Sequence, residues 1–426
     1  MQSVREAIPL AGGSLGPQRH VCAFFDTRAE EYRVLLPFVK EGLERGEKAI
    51  HIIDPALRDD HVARLSAAGI DVGAAQARRQ LEVLDWGETY LQGGSFDRRA
   101  MTDLVEGMLR RARTEGFPRT RVVGHMEWAL QDRRDGTALV EYEARVNDVL
   151  SRYDDPAVCT YDRSRFGAGT AMDVLRAHPA VILDGALQEN PSFLPPASLL
   201  PRLHGELLSV LRDRYVAALV AGARREALDV VVEEALWQDV PVPSLYLEVI
   251  QAAQYEIGRL WQEKRITVAQ ERLATEISRL ALAQLQLHLP SLPGNGKRVV
   301  VACVEGELHD MGARMVADFL EMEGFEVRFL GANVPAESLA EFVRTRPPDL
   351  LALSATTSFH SAALRRAVAA VRRGAGRRIP LAAGGQVFLR KPRLGRRLGV
   401  DLHAHDAREM ATVARRFFGG SGEGRR

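Results

Sequence analysis

A multidomain α/β protein with a four-helix bundle at its centre is the architecture this sequence predicts. Three observations carry that reading. Short apolar runs alternate with amphipathic helical stretches over residues 18–197, as in a mostly parallel sheet covered by helices. Apolar residues then recur every three or four positions over 198–291, the helical period. Beyond a linker of turn residues, five short strands again alternate with helices over 297–418. That last pattern is a doubly wound parallel sheet, flavodoxin-like in outline.

Composition narrows the class. A hydrophobic content of 46% with 27% charged residues is that of a globular chain. A net charge of +1 gives no overall field selecting nucleic acid or membrane. Arg372, Arg373, Arg377, Arg378, Arg390, Lys391, Arg393, Arg396 and Arg397 crowd the C-terminal part, and such runs read first as a solvated face. Cys22, Cys159 and Cys303 are scattered through apolar runs without a C-x-x-C spacing, which fits a reducing compartment. No signal peptide or membrane-length apolar run is legible, so a cytoplasmic protein is expected.

Residues 1–17 are Gly-rich and read as a flexible lead. Gly12-Gly13-Ser14-Leu15-Gly16 lacks the Gly-Lys-Ser/Thr ending of a phosphate loop. Strands are expected at 21–25, 49–53, 81–84, 120–124 and 157–161, with helices at 30–45, 57–68, 98–115 and 136–151. Pro191-Ser192-Phe193-Leu194-Pro195-Pro196 closes this domain, because neither a helix interior nor a central strand accepts those prolines. The strand ends near 124 and 161 carry His125-Met126-Glu127-Trp128 and Cys159-Thr160-Tyr161-Asp162, a rim suited to a ligand or simply packed aromatics. No metal-ligand spacing is legible in this segment.

Four bundle helices are expected at 199–219, 222–237, 242–262 and 267–288, with Pro243 at a helix start. Pro290 to Gly296 is a linker. The third segment has strands at 298–304, 326–330, 349–354, 379–383 and 400–403, and helices at 311–323, 336–344, 360–373, 392–397 and 406–417. The tail 419–426 reads as disordered.

The loop after the first of these strands, Glu305-Gly306-Glu307-Leu308-His309-Asp310-Met311-Gly312, holds the chemistry. Open α/β sheets bind ligands at the carboxyl ends of their strands. Glu307 two residues before His309 can fix the imidazole tautomer from its far nitrogen, as carboxylates do for metal-ligating histidines. One histidine is too few for zinc. It suits a metal already held by a macrocycle. Ser354 and Thr356 follow the third strand and Gly384-Gly385 the fourth, so small residues converge on the same sheet edge.

Two resemblances follow from these residues. Phe38-x3-Gly42-Leu43-x2-Gly46-Glu47, Tyr90-Leu91-x4-Phe96-Asp97, Met126-x-Trp128, Tyr142-Glu143-Ala144, Cys159-x-Tyr161-Asp162 and His178-Pro179-x11-Asn190-Pro191 resemble the MEDS sensory domain, over 18–197. That implies a non-catalytic, RecA-like α/β sensory domain. The sequence from Glu307 through Gly385 resembles the cobalamin-binding domain, whose signature is Asp-x-His-x-x-Gly followed by Ser-x-Leu and Gly-Gly. This resemblance implies His309 as lower axial cobalt ligand, Glu307 as its partner, Asp310 and Gly312 in the same loop, and Ser354, Thr356, Gly384 and Gly385 around the nucleotide tail. Trp261-x9-Glu271 in the bundle is similar to the helical cap of cobalamin photoreceptor regulators, so Trp261, Glu271 and Arg272 would cover the upper face. Arg272 stands where that family has histidine, which implies a photoproduct other than a two-histidine one.

The function these resemblances imply is a cobalamin-binding sensor or regulator rather than an enzyme. Light is the expected signal and adenosylcobalamin the favoured form, with methylcobalamin also compatible. A corrinoid carrier passing methyl groups between separate methyltransferases is the alternative. A protein partner in a signalling or transcriptional pathway is expected. Direct DNA binding is not, since no helix-turn-helix or zinc pattern is legible. Self-association, and a second chromophore such as a bilin, are left open.

Overall fold

Three of the first domain's strands are buried at every position, so that sheet is covered on both faces. The computed structural model describes residues 7–90, 98–130, 137–238, 240–374, 378–390 and 393–419. They fall into two compact units, Met1–Glu206 and Leu207–Arg426.

The first unit opens with a hairpin, β1 (Ile8–Leu10) against β2 (Gly13–Leu15). This replaces the flexible lead expected there. Ile8, Leu10 and Leu15 are all buried, and that apolar contact orders the segment. Then come β3 (His20–Phe25), β4 (Lys48–Ile53), β5 (Leu81–Asp85), β6 (Thr120–His125), β7 (Ala157–Asp162), β8 (Ala180–Leu183) and β9 (Ala186–Glu189). The sheet order is β5-β4-β6-β7-β3-β8-β9, parallel except for the β8–β9 hairpin. That hairpin is not legible in the sequence, because its four-residue strands are too short to show a period. The Leu91, Phe96 and Asp97 positions of the sensory-domain pattern lie outside the described residues, as does the tail from residue 420.

The Phe38/Gly42/Glu47 pattern has a structural cause. Arg121 on β6 is 1% exposed, with its guanidinium over the Phe38 ring at 4.6 Å. It donates to Glu47 Oε2 at 2.5 Å and to the Phe38 carbonyl at 2.5 Å. A Cβ on Gly42 would sit 2.5 Å from Arg121 Nε. Glycine is required there because a buried arginine needs both its partners and its space.

The second unit joins the bundle to β10 (Arg298–Cys303), β11 (Glu326–Phe329), β12 (Leu350–Ser354), β13 (Leu381–Gly384) and β14 (Leu402–His403), all parallel. The order β11-β10-β12-β13-β14 is the doubly wound one expected. Side chains alternate along β10. Val299, Val301 and Cys303 belong to one core, and Val300 and Ala302 to the other. The first core is continuous with bundle residues such as Tyr215, Tyr246, Ile250 and Ile277, so bundle and sheet pack as one unit. Two expected α-helices contain π-helical stretches, Asp229–Glu234 and Leu245–Gln251.

Arg372, Arg373 and Arg378 of the basic run are engaged locally, with the Gly399 carbonyl, Glu337 and Asp401. Arg377 and Lys391 lie outside the described residues. Among the described residues no helix is long and apolar enough to cross a membrane.

Candidate functional site

The site is built on the turn after β10. Gly306 takes a φ of 83°, a conformation that favours glycine. Its amide donates to Asn333 Oδ1 at 2.8 Å, and the Asn333 amide donates to the Glu307 carbonyl at 2.9 Å. Glu307 is thereby folded under the loop with its side chain fully buried.

A buried carboxylate needs partners on both oxygens. Oε1 accepts from the His309 amide at 2.8 Å and from His309 Nδ1 at 2.6 Å. Oε2 accepts from the Thr356 amide at 2.5 Å and lies 2.9 Å from His360 Nδ1. Burial raises the Glu307 pKa, but the bonds from His309 and the Thr356 amide outweigh it and hold the carboxyl at about 2. The same hydrogen bond raises the His309 pKa against burial. His309 is 66% exposed. With Nδ1 engaged, Nε2 is the ring nitrogen left to meet a ligand.

Register brings the other strand ends together. Cys303 pairs with Ser354, and Ser354 with Gly384. The Ala355 amide donates to the Gly384 carbonyl at 3.1 Å. Gly385 has a φ of 103°, and a Cβ there would meet the Ala355 carbonyl oxygen at 2.3 Å. A Cβ on Gly384 or Gly312 would meet nothing within 4 Å. One glycine of the pair is thus required by backbone packing, while the other leaves open space.

Bundle residues approach the same loop. Thr267 and Gln270 form a capping box that starts the helix Val268–Leu285. This sets Glu271 in its first turn and Arg272 just after it, and both act electrostatically on His309. Further along, Arg279 Nη2 lies 2.7 Å from Asp310 Oδ1. Tyr255 Oη accepts from Gln386 Nε2 at 3.3 Å, beside the glycine pair. Trp261 is on the bundle surface, 44% exposed. Leu308 and Phe359 are large apolar residues left exposed close to His309 and Thr356 in sequence.

His360, Tyr255 and Gln386 were missed by sequence reasoning. His360 reads as the start of a helix, and its approach to Glu307 exists only through the β10–β12 pairing. Thr356 acts through its backbone amide, which no residue type would reveal.

The sensory-type unit places its rim residues differently from a simple ligand pocket. Trp128 stacks on Tyr90 at 4.7 Å, with Tyr142 edge-on, so these aromatics are core. A small cleft is lined by Arg28, Glu31, Glu127, Thr160 and Asp162. His125 Nε2 lies 2.9 Å from Glu31 Oε1.

Comparison with known families agrees with this division of the chain. The family described as MEDS, the MEthanogen/methylotroph, DcmR Sensory domain, matches residues 19–179. Two families described as B12 binding domain match residues 297–413 and 211–286. The chain therefore carries a MEDS domain followed by B12-binding domains. It is homologous to the HTH-type transcriptional repressor CarH of Myxococcus xanthus, at 32% identity over 41% of this chain and 57% of the repressor. It is also homologous to the transcriptional repressor DcmR of Methylorubrum extorquens, at 26% identity over 40% of this chain and 61% of that one. Dimethylamine corrinoid protein 3 of Methanosarcina acetivorans is 24% identical over 47% of this chain and 93% of its own length. The chain thus spans little more than half the length of the two repressors. Among solved structures, the monomethylamine corrinoid protein of Methanosarcina barkeri aligns with a TM-score of 0.44 at 21% identity, covering 48% of this chain and 97% of that one.

B12-binding domains indicate a cobalamin cofactor, and the residues present fit it. The loop offers one imidazole whose far nitrogen is already held by a buried carboxylate, the arrangement that orients a histidine for a metal. No atom lies within 4 Å of where a Cβ on Gly384 would stand, so the backbone there is unobstructed.

Proposed function

We propose that this chain is a cobalamin-dependent sensor and regulator that responds to light through adenosylcobalamin and signals to a protein partner. The carrying observation is the Glu307–His309 pair, in which a fully buried carboxylate fixes an exposed imidazole by Nδ1. In this reading His309 Nε2 is the lower axial ligand. Glu307 sets its tautomer, Asp310 and Gly312 shape the loop, and Ser354, Thr356, Gly384 and Gly385 border the nucleotide tail. Glu271, Arg272 and Trp261 form the cap above. Bound cobalamin would supply a cobalt centre whose upper ligand is photolabile. The chain's own part is to bind that centre differently in two conformations, since only differential affinity shifts a conformational equilibrium.

The test is an absorption spectrum of the full chain with adenosylcobalamin, in darkness and after green light. A base-off, histidine-ligated spectrum that changes on illumination is expected. Absence of binding refutes the cofactor assignment. An unchanged spectrum in His309→Ala refutes the ligand assignment. Binding without photochemistry favours a second reading, a corrinoid carrier in methyl transfer. What favours that alternative is the near-complete coverage, 93%, of the dimethylamine corrinoid protein by 47% of this chain.

A further inference from the structure

A second constellation lies in the first unit, far in sequence from the cobalamin loop. His20 begins β3, Glu143 sits in the helix Thr137–Ser151, Cys159 is central in β7, and His178 caps the end of the helix Ala168–Ala177. All four are buried, and one ligand-capable atom from each lies within 4.8 Å of the others. His20 Nε2 is 3.2 Å from Glu143 Oε2 and 3.4 Å from Cys159 Sγ. Glu143 Oε2 is 3.4 Å from both Cys159 Sγ and His178 Nε2. Tetrahedral zinc bonds of 2.0–2.3 Å imply ligand–ligand separations of about 3.3–3.8 Å, so these edges are already near those of a zinc polyhedron.

The protons argue the same way. Asn147 Nδ2 donates to the carbonyls of Glu143 at 3.0 Å and Ala177 at 2.6 Å. Its Oδ1 is therefore an acceptor, and the His20 Nδ1 beside it at 3.2 Å carries the hydrogen. His178 Nδ1 faces the Val174 carbonyl at 2.9 Å, which also can only accept. In the neutral form of each imidazole the Nε2 lone pair then points inward, toward a carboxylate oxygen. The Cys159 thiol is the one donor among these four inward groups. His178 Nε2 makes no hydrogen bond of acceptable geometry although it is buried. With both imidazoles neutral, the inward groups are three acceptors and one weak donor, and the Tyr161 hydroxyl donates only to the other Glu143 oxygen, Oε1, at 2.5 Å, so a cation would satisfy the inward lone pairs.

We infer that His20, Glu143, Cys159 and His178 form a closed structural site for a divalent zinc ion. Binding would release the Cys159 proton to solvent. One thiolate, one carboxylate and two neutral imidazoles then balance the ion's charge, as a buried site requires. The outer nitrogens are already tied to Asn147 and Val174, the second tier of support that metal-bound histidines use. Four protein ligands leave no open position, so the role is bracing rather than catalysis. The ion would cross-link two strands and two helices that cover one sheet face. The sequence spacing shows no metal site, since the ligands stand 123, 16 and 19 residues apart, although Glu143, Cys159 and His178 all fall within the sensory-domain pattern.

The experiment uses the full chain, stripped with a chelator and titrated with zinc alone. One tightly held zinc per chain and a higher unfolding temperature are expected, in His309→Ala as in the parent. Cys159→Ser and His178→Ala should lose the ion. Cadmium should add a thiolate-to-metal absorption band in the parent, and that band should vanish in Cys159→Ser. The band needs no folded variant, because its absence from the parent would already overturn the site. The site is equally overturned if zinc leaves the parent's melting unchanged, or if folded Cys159→Ser and His178→Ala bind the ion as well as the parent does.

Discussion

Arg279 Nη2 stands 2.7 Å from Asp310 Oδ1, tying the last bundle helix to the residue next to His309. The pair is partly shielded, with Asp310 buried and Arg279 only 37% exposed. Arg279→Ala would leave that carboxylate without its guanidinium. A loss of about 1 kcal/mol is expected, given the partial exposure, read as a lower urea midpoint with unchanged slope. Arg279→Lys should recover only part of it, because a point charge replaces a fork.

Glu307→Gln tests the orienting role. One amide oxygen can still accept from His309, but the amide nitrogen would then face the Thr356 N–H, donor against donor. Cobalamin affinity should fall roughly 10–100-fold, the usual effect of losing a carboxylate behind a metal-bound histidine. Spectral titration measures this. An undiminished affinity would mean that the carboxylate orients nothing.

The glycine pair separates folding from binding. Gly385→Ala drives a Cβ against the Ala355 carbonyl at a positive φ, and should cost about 2–4 kcal/mol. Gly384→Ala meets no atom within 4 Å. Its melting temperature should match the parent's while cobalamin binding weakens, because the methyl group enters the space assigned to the tail. Calorimetry on the apo and loaded forms distinguishes the two outcomes.

Asp318 gives a pH signature. Burial raises its pKa from 3.8 to about 6, more than the Tyr246 hydroxyl lowers it. Tyr246 Oη lies 3.0 Å from Asp318 Oδ2 and 3.2 Å from the Leu282 carbonyl. A group whose folded pKa is raised holds its proton more tightly when folded. Its stabilising contribution is therefore complete below about pH 4 and lost as pH rises through 6. The loss is on the order of 2 kcal/mol, measured by urea denaturation at pH 4.5 and 7. Asp318→Asn should flatten that slope. A parent whose stability does not fall across this interval contradicts the assignment.

Much of the fold was legible in the sequence because its elements are long and periodic. The five strands of the second sheet appear within a few residues of their expected places, since runs such as Val299-Val300-Val301-Ala302-Cys303 are apolar throughout. The hairpins at Ile8–Leu15 and Ala180–Glu189 were not, as three- or four-residue strands show no period. The pairing of Glu307 with His309 was legible because the residues are two apart. Contacts made through sheet register were not, including His360 on Glu307 and the group around Glu143. Arg121 shows the same limit from the other side. Its demand for Gly42 and Glu47 looks in sequence like a signature of function, but its cause is packing.

The π-helical stretch Leu245–Gln251 has a mechanical meaning. It stores one residue more than an α-helix would use over the same rise. Rewinding it to α geometry would turn the helical segment that follows by about 100° and slide it by about 1.5 Å. Tyr255 and Trp261 ride on that segment, so a slip of a single residue upstream would re-aim both rings, as a ratchet advances by one tooth.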